Sequence, residues 1–225
     1  MPPRIELHSP LPATAPVRVA TPPVRTELPL KTPVVPDLLL PPGNRYWHGQ
    51  AQAEAPGEAE RHLWIRLTFV PGRKVEVNLW WARLARSPDV KLVFGLYGGA
   101  VELGSLVGNG FDAPGLHRLG FGTLAVNLAV QALQDCCSPQ TLVQGVLSNT
   151  AEEGLPVAER ERLEGNRRAF WRRFGLEVMS RGEPSLDYLH GCVADLRQVS
   201  SGTVAGCFPR TISLRDFTAD APQGL

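Results

Sequence analysis

Between residues 62 and 107, apolar and polar positions alternate in runs of strand length. In "HLWIRLTF", residues 62 to 69, Leu63, Ile65, Leu67 and Phe69 fall on one side and His62, Trp64, Arg66 and Thr68 on the other. Successive side chains of a strand point to opposite faces, so this run predicts a half-buried strand. "VPGRK" reads as a turn and "VEVNLWW" as a second alternating run, which makes residues 62 to 81 an antiparallel hairpin. "VKLVFGLYG" and "AVELGSLVGN" give two more strands, joined at Gly98 and Gly99.

The period then changes. Residues 121 to 137, "FGTLAVNLAVQALQDCC", are apolar or small nearly all round, the pattern of a buried helix. "TLVQGVLSN", residues 141 to 149, returns to a strand. "AEEGLPVAERERLEG" predicts a loop and a charged helix. "NRRAFWRRFG" predicts a separate short helix ending on Gly175, a residue suited to a left-handed cap. "LEVMSRG" reads as a strand, and "DYLHGCVADLRQVSSGTVAGCF" as one or two more. Antiparallel strands, a buried helix, a strand, a helix and further strands define an α+β domain.

The first 44 residues stand apart. They hold 12 of the 21 prolines. Proline fixes φ and removes an amide donor, so this segment builds neither a helix interior nor a central strand. It reads as an extended, partly polyproline II arm, either lying along its own domain or mobile. Tyr46 and Trp47 mark the change to globular sequence, giving an arm over residues 1–44 and a domain over 45–225.

Composition narrows the partners. A net charge of +1 gives no whole-protein attraction to nucleic acid or anionic membranes. In "ERERLEGNRRAFWRRF" three glutamates offset three of the arginines, so a solvated helix face is expected there rather than a nucleic-acid contact. Lysine occurs only at 31, 74 and 91, which, with the Ala, Gly and Pro content, fits GC-rich coding of bacterial type. Cys136, Cys137, Cys192 and Cys207 include no C-x-x-C pair, and the adjacent two read as buried free thiols. With His62 and His190 they form no metal-ligand spacing, so no metal is expected. "MPPRIELHSPLP" lacks the charged and apolar regions of a signal peptide, and the longest apolar runs are broken by proline. A soluble, reduced, cytoplasmic protein is expected, with no membrane partner.

The candidate chemistry begins at "GLHRLGFGTL", residues 115 to 124, where two glycines flank Phe121 at the start of the buried helix. The first turn of a helix has unpaired N–H groups and a partial positive charge, and small residues let an anion approach them closely. Gly120 and Gly122 offer that access, and Arg118 and Thr123 add donors. No Gly-Lys-Ser/Thr follows, so this is not a P-loop. A Rossmann G-x-G-x-x-G would need a third glycine where Ala125 stands. Alone, the pair is equally consistent with a tight turn.

"HRLGFGT", the buried helix, a strand and then "NRRAFWRRFGLEV" together resemble the GNAT superfamily of acyl-CoA-dependent N-acyltransferases, over roughly residues 60 to 180. That family carries Q/R-x-x-G-x-G/A at the start of its central helix, and later an Asn-containing helix ending aromatic–basic–Gly–apolar. His117 takes the first motif position, Gly120 and Gly122 the glycine positions, and Asn166 falls near the family asparagine. The resemblance implies a mixed, mostly antiparallel central sheet flanked by helices, and acetyl-CoA or another acyl-CoA as donor. It implies that "VELGSLVGN" and "TLVQGVLSN" splay apart to receive pantetheine while the G-x-G loop amides hold pyrophosphate. The donor-binding residues it implies are Val107, His117, Arg118, Leu119, Gly120, Phe121, Gly122, Thr123, Asn166 and Trp171. Glu102 and Ser148 are the implied catalytic residues: Glu102 is the base, with a solvated strand-face charge as the alternative, and Ser148, beside Asn149, binds substrate or donor, although Ser-Asn also suits a turn.

Three features depart from the family pattern. His117 replaces Gln or Arg, and the loop from Gly108 to His117 is long. Trp171 stands where many members have a tyrosine that protonates the departing thiolate, and an indole N–H cannot act as an acid at neutral pH. The expected activity is transfer of an acyl group to an amine, borne by a small molecule or a protein, with a homodimer left open. The alternative is a GNAT-fold binding protein without catalysis, whose arm engages a partner.

Overall fold

The structure is a computed structural model that describes residues 40–51, 60–108, 116, 118–148, 154–180 and 186–222. Residues 1–39 of the expected arm, His117 and Asn149 lie outside the described residues.

The molecule is α+β, built on an eight-stranded, mostly antiparallel sheet. In chain order the strands are β1 (Gly43–Ala51), β2 (Arg61–Val70), β3 (Lys74–Trp81), β4 (Val90–Tyr97), β5 (Ala100–Val107), β6 (Leu142–Ser148), β7 (Glu177–Ser180) and β8 (Leu186–Cys192). Helix α1 (Phe121–Cys136) joins β5 to β6, and α2 (Val157–Arg172) joins β6 to β7. The spatial order is β1-β2-β3-β4-β5-β6-β8-β7. Every neighbouring pair is antiparallel except β5 and β6, which are parallel. Parallel neighbours need a long crossover, and α1 supplies it.

The alternation read in the sequence sorts the two faces. Leu63, Ile65, Leu67, Val75, Val77, Leu79, Leu92, Phe94 and Val101 are buried and join one core with α1 and α2. Among the described residues both helices pack on this face. The opposite face carries His62, Trp64, Arg66, Thr68, Lys74, Glu76, Asn78, Trp80, Lys91 and Glu102; no described helix covers it, yet Glu76, Asn78 and Trp80 are buried there.

Two sequence expectations are corrected. The charged segment and "NRRAFWRRFG" form one continuous helix, α2, rather than two. Gly165 does not interrupt it, and i,i+3 and i,i+4 pairs (Glu159–Arg162 and Glu164–Arg168) run along it. The helix closes at Arg173, before Gly175. Gly175 is left-handed all the same (φ +91°), and a Cβ there would lie 1.9 Å from the Asp195 carbonyl oxygen. Both the left-handed turn that ends the helix, in which the Gly175 N–H donates to the Arg172 carbonyl (3.1 Å), and packing against Asp195 explain this glycine.

Strand β1 was not anticipated, and it starts inside the proposed arm. Leu40 is buried, and its N–H donates to Asp135 Oδ2 (2.9 Å) near the end of α1. The folded unit thus takes in the last residues before Tyr46.

Where one or two C-terminal strands are expected, the structure has three: β8 and a short two-stranded hairpin, β9 (Thr203–Val204) with β10 (Phe208–Pro209). The chain around this hairpin straps α1. Asn127 Nδ2 donates to the Val199 and Arg210 carbonyls (2.9 and 2.7 Å), Gln131 Nε2 to Ile212 (2.9 Å), and Gln134 Nε2 to Leu196 (2.8 Å). These three polar residues, set at helical spacing, satisfy a segment that has little ladder of its own.

The parallel pair leaves no room for a side chain at one position. A Cβ on Gly145 would lie 2.6 Å from the Leu103 Cβ. Gly145→Val should therefore lower stability by about 1–3 kcal/mol through overpacking. Gly165→Ala, where a Cβ meets nothing within 4 Å, should raise stability by about 0.5–1 kcal/mol. Urea midpoints moving the same way in both variants would contradict this.

Candidate functional site

The β5–β6 ladder is short. Ala100 pairs Leu142, Val101 pairs Val143, Glu102 pairs Gln144 and Leu103 pairs Gly145, and there it stops. Both strands continue, each held on its other flank. Ser105, Leu106 and Val107 pair with Val93, Leu92 and Lys91 of β4, while Val146, Leu147 and Ser148 pair with Tyr188, Asp187 and Leu186 of β8. Beyond the last rung the facing edges of β5 and β6 have no ladder between them. Gly104 is an extra residue in β5, since Leu103 opposes Phe94 and Ser105 opposes Val93. Such a bulge bends and re-aims a strand where pairing ends.

Because β5 and β6 are parallel, the chain must return from the end of β5 to the start of β6. Helix α1 therefore runs back along the sheet, with its first turn toward the open end. That first turn holds no acidic residue and no side-chain cap. Gly120, the N-cap, is left-handed (φ +91°), and a Cβ there would lie 2.7 Å from the Thr203 carbonyl oxygen and 3.1 Å from Arg210 Nε. The first glycine of the pair is thus required by conformation and by the C-terminal strap together. The strap brings Arg210 to this end, its guanidinium held on the Thr203 and Ser201 carbonyls (3.1 and 2.7 Å). Sequence reasoning missed Arg210, which follows Gly120 by ninety positions and carries no local signal.

Arg118 (φ +63°) and Leu119 are exposed just before this turn. Phe121, Gly122 and Thr123 are buried, with Phe121 edge-on to Trp81 at 5.3 Å. Of this stretch only Arg118 and Leu119 are exposed, and the strap, whose Ala205 N–H donates to the Leu119 carbonyl (2.8 Å), packs against the turn. Val107 is exposed at the end of β5, and Ser148 ends β6. Glu102 is exposed in the ladder and accepts a hydrogen bond from Gln144 Nε2 (3.1 Å). Asn166 and Trp171 lie apart on α2, which packs on β7 at the sheet's edge. Asn166 is exposed, and Trp171 is buried against Phe170 and Phe174.

Two clusters on the helix-free face escaped the sequence reading. Glu76 is 7% exposed and is held by Lys74, by Asn78 Nδ2 (2.9 Å) and by Lys91 (3.6 Å). Burial opposes its ionisation, but the hydrogen bonds from Lys74 and Asn78 and the two lysine charges outweigh it, holding the carboxyl below its usual range. Nearer the β1 edge, His48 and His62 stack on one another (5.3 Å) and on Trp64 (5.0 and 5.1 Å), with His48 Nε2 3.1 Å from His62 Nδ1. Burial, then the neighbouring His62, lowers the His48 pKa.

The sign for Glu76 follows from linkage. A carboxyl depressed in the folded state stabilises fully above its unfolded pKa, about 4.3, and loses that contribution as pH falls through the folded value. Glu76→Gln should thus lower stability at pH 7 and lose less between pH 5 and 3 than the wild type. Urea midpoints at the two ends check it, and parallel curves would remove Glu76 from the acid response.

Arg168 reaches Asp187 through two bonds (2.6 and 3.0 Å), so part of the basic run on α2 is internally paired. Cys136 and Cys137 are partly buried free thiols with Sγ atoms 3.6 Å apart. Among the described residues no group of histidine, cysteine and carboxylate side chains is arranged to hold a metal, and no helix is long and apolar enough to cross a membrane. Comparison with protein-family models, curated proteins and solved structures finds no match to this chain.

Proposed function

We propose that the protein is a GNAT-type N-acyltransferase that moves an acetyl or other acyl group from acyl-CoA to an amine. One observation carries the reading: a single parallel pair, β5 and β6, opens after four rungs at the end toward which α1 begins. Free backbone N–H and C=O groups along an opened edge accept an extended, amide-bearing chain as an added strand. Pantetheine is such a chain. The first turn of α1, with no carboxylate and no side-chain cap, suits the pyrophosphate that follows it. Arg118 is exposed beside that turn and adds positive charge.

Bound acyl-CoA supplies an electrophilic thioester carbonyl. The protein's part is to hold the amine against it and to remove a proton. Glu102 lies one rung before the opening, on the helix-free face, with its carboxylate oriented by Gln144. It acts as the base, directly or through water, and an amine approaching from that face meets the opening without crossing the helices. The thermal response to acetyl-CoA tests the reading. A rise in melting temperature that saturates supports it, and no response to any acyl-CoA at millimolar concentration overturns it.

One observation favours the second reading, binding without catalysis. Trp171 fills the family's tyrosine position with a buried indole, which leaves no acid there for the departing thiolate. Tight acyl-CoA binding without turnover on any amine would select that reading.

A further inference from the structure

The helix-free face carries an arrangement that acyl transfer alone leaves unused. The chain has lysine at only three of its 23 basic positions, and the two that are described, Lys74 and Lys91, converge on one carboxylate, Glu76. The two lysine side chains each remain 41% exposed. Two ammonium groups around one carboxylate leave one positive charge in excess, and the ladder holds it in place.

This charge shares a row with the proposed base. Lys74 pairs Gly95 across β3 and β4, and Gly95 pairs Glu102 across β4 and β5. Directly opposed residues point to the same face, so Lys74 and Glu102 rise from one side of the sheet two strands apart, roughly 10 Å between backbones. Gly95 between them brings no side chain. Tyr97 fills that space instead: a Cβ on Gly95 would lie 2.3 Å from Tyr97 Cε2, so the ring lies over the glycine. The ring is nonetheless exposed, at 59% for the residue. The row therefore reads cation, aromatic shelf, carboxylate.

We infer that the acceptor is an amino acid-like molecule, an amine carrying one carboxylate, which lies across Tyr97 with its amine at Glu102 and its carboxylate at Lys74 and Lys91. This rests on the acyl-transfer reading and names the acceptor class for the same site. The charges select the class. A diamine would set a cation against the lysines, and a neutral amine would leave their excess charge unanswered.

The test uses the full chain with acetyl-CoA and matched acceptors, free amino acids and their carboxamides. Free acids should be used with kcat/KM at least about tenfold higher, since a hydrogen bond to a charged group typically contributes 1.5–3 kcal/mol. Lys91→Met should erase that preference by raising KM for the acid while kcat holds, because Lys74 and Asn78 still support Glu76. Melting of Lys91→Met with and without acetyl-CoA verifies that fold and donor binding persist. Equal use of acids and carboxamides overturns the acceptor assignment and leaves acyl transfer standing. A wild-type protein with no thermal response to acyl-CoA overturns both.

Discussion

Glu102→Gln should lower kcat by about 100-fold or more, the scale usual for removal of a general base, with acetyl-CoA affinity nearly unchanged. The substitution keeps the size of the side chain and its place in the β5–β6 ladder, and an amide can still pair with Gln144. It removes only the ability to accept a proton. An amine at neutral pH is mostly ammonium and is not a nucleophile until it loses that proton, so the loss should appear in kcat with little change in donor binding. Steady-state kinetics with a reactive amine, beside a thermal titration with acetyl-CoA, separates the two quantities. Undiminished turnover would make Glu102 an exposed strand charge and move the base elsewhere on the helix-free face.

The second large effect is on stability. Acetyl-CoA at 100 times its Kd should stabilise the wild type by about 2.7 kcal/mol, a rise of roughly 5–10 °C for a domain of this size. Gly122→Glu should abolish that rise. Gly122 lies in the first turn of α1, where a carboxylate satisfies the free amides that would otherwise meet pyrophosphate. The helix dipole tolerates the charge, but the added side chain enters a buried position, so the variant's own unliganded melt should fall and the ligand-induced rise is read against it. Because Gly122 is buried, Arg118→Glu at an exposed position two residues before the N-cap gives an independent reading. It should reduce the rise without altering the unliganded melt. Full rises in both variants would show that the two glycines serve the turn alone.

Much of the sheet was legible because its pattern is local. Residues 62–69 and 75–81 alternate apart from Trp64 and Trp80, a hairpin turn separates them, and they form β2 and β3 within a residue or two. The buried helix was legible for the same reason, since residues 121–130 are all buried. Strand β1 was not. Its residues are mostly half-buried or exposed, so alternation is weak, and it follows a proline-rich stretch that suggests a loop. The continuity of α2 was hidden by Gly165, whose cost the ion pairs and the contact with Asp187 offset.

The same division runs through the site. Sequence by itself determined the α+β order, the glycine-flanked start of α1 and the placement of Glu102 on a strand, because each depends on residues within one or two turns or on a period of two. Tertiary structure alone decided where the parallel ladder stops. That depends on β4 holding β5 through their hairpin while β8 holds β6 from the opposite flank, across the segment that contains α2 and β7. It also decided that Lys74 and Lys91 converge on Glu76, that Tyr97 lies over Gly95, and that Arg210 reaches Gly120. Strand register sets the first, the side-chain conformation of a residue two along the same strand sets the second, and a strap anchored by Asn127 and Gln131 sets the third. Register and long-range anchoring come from pairings between distant segments, which no local window of sequence contains.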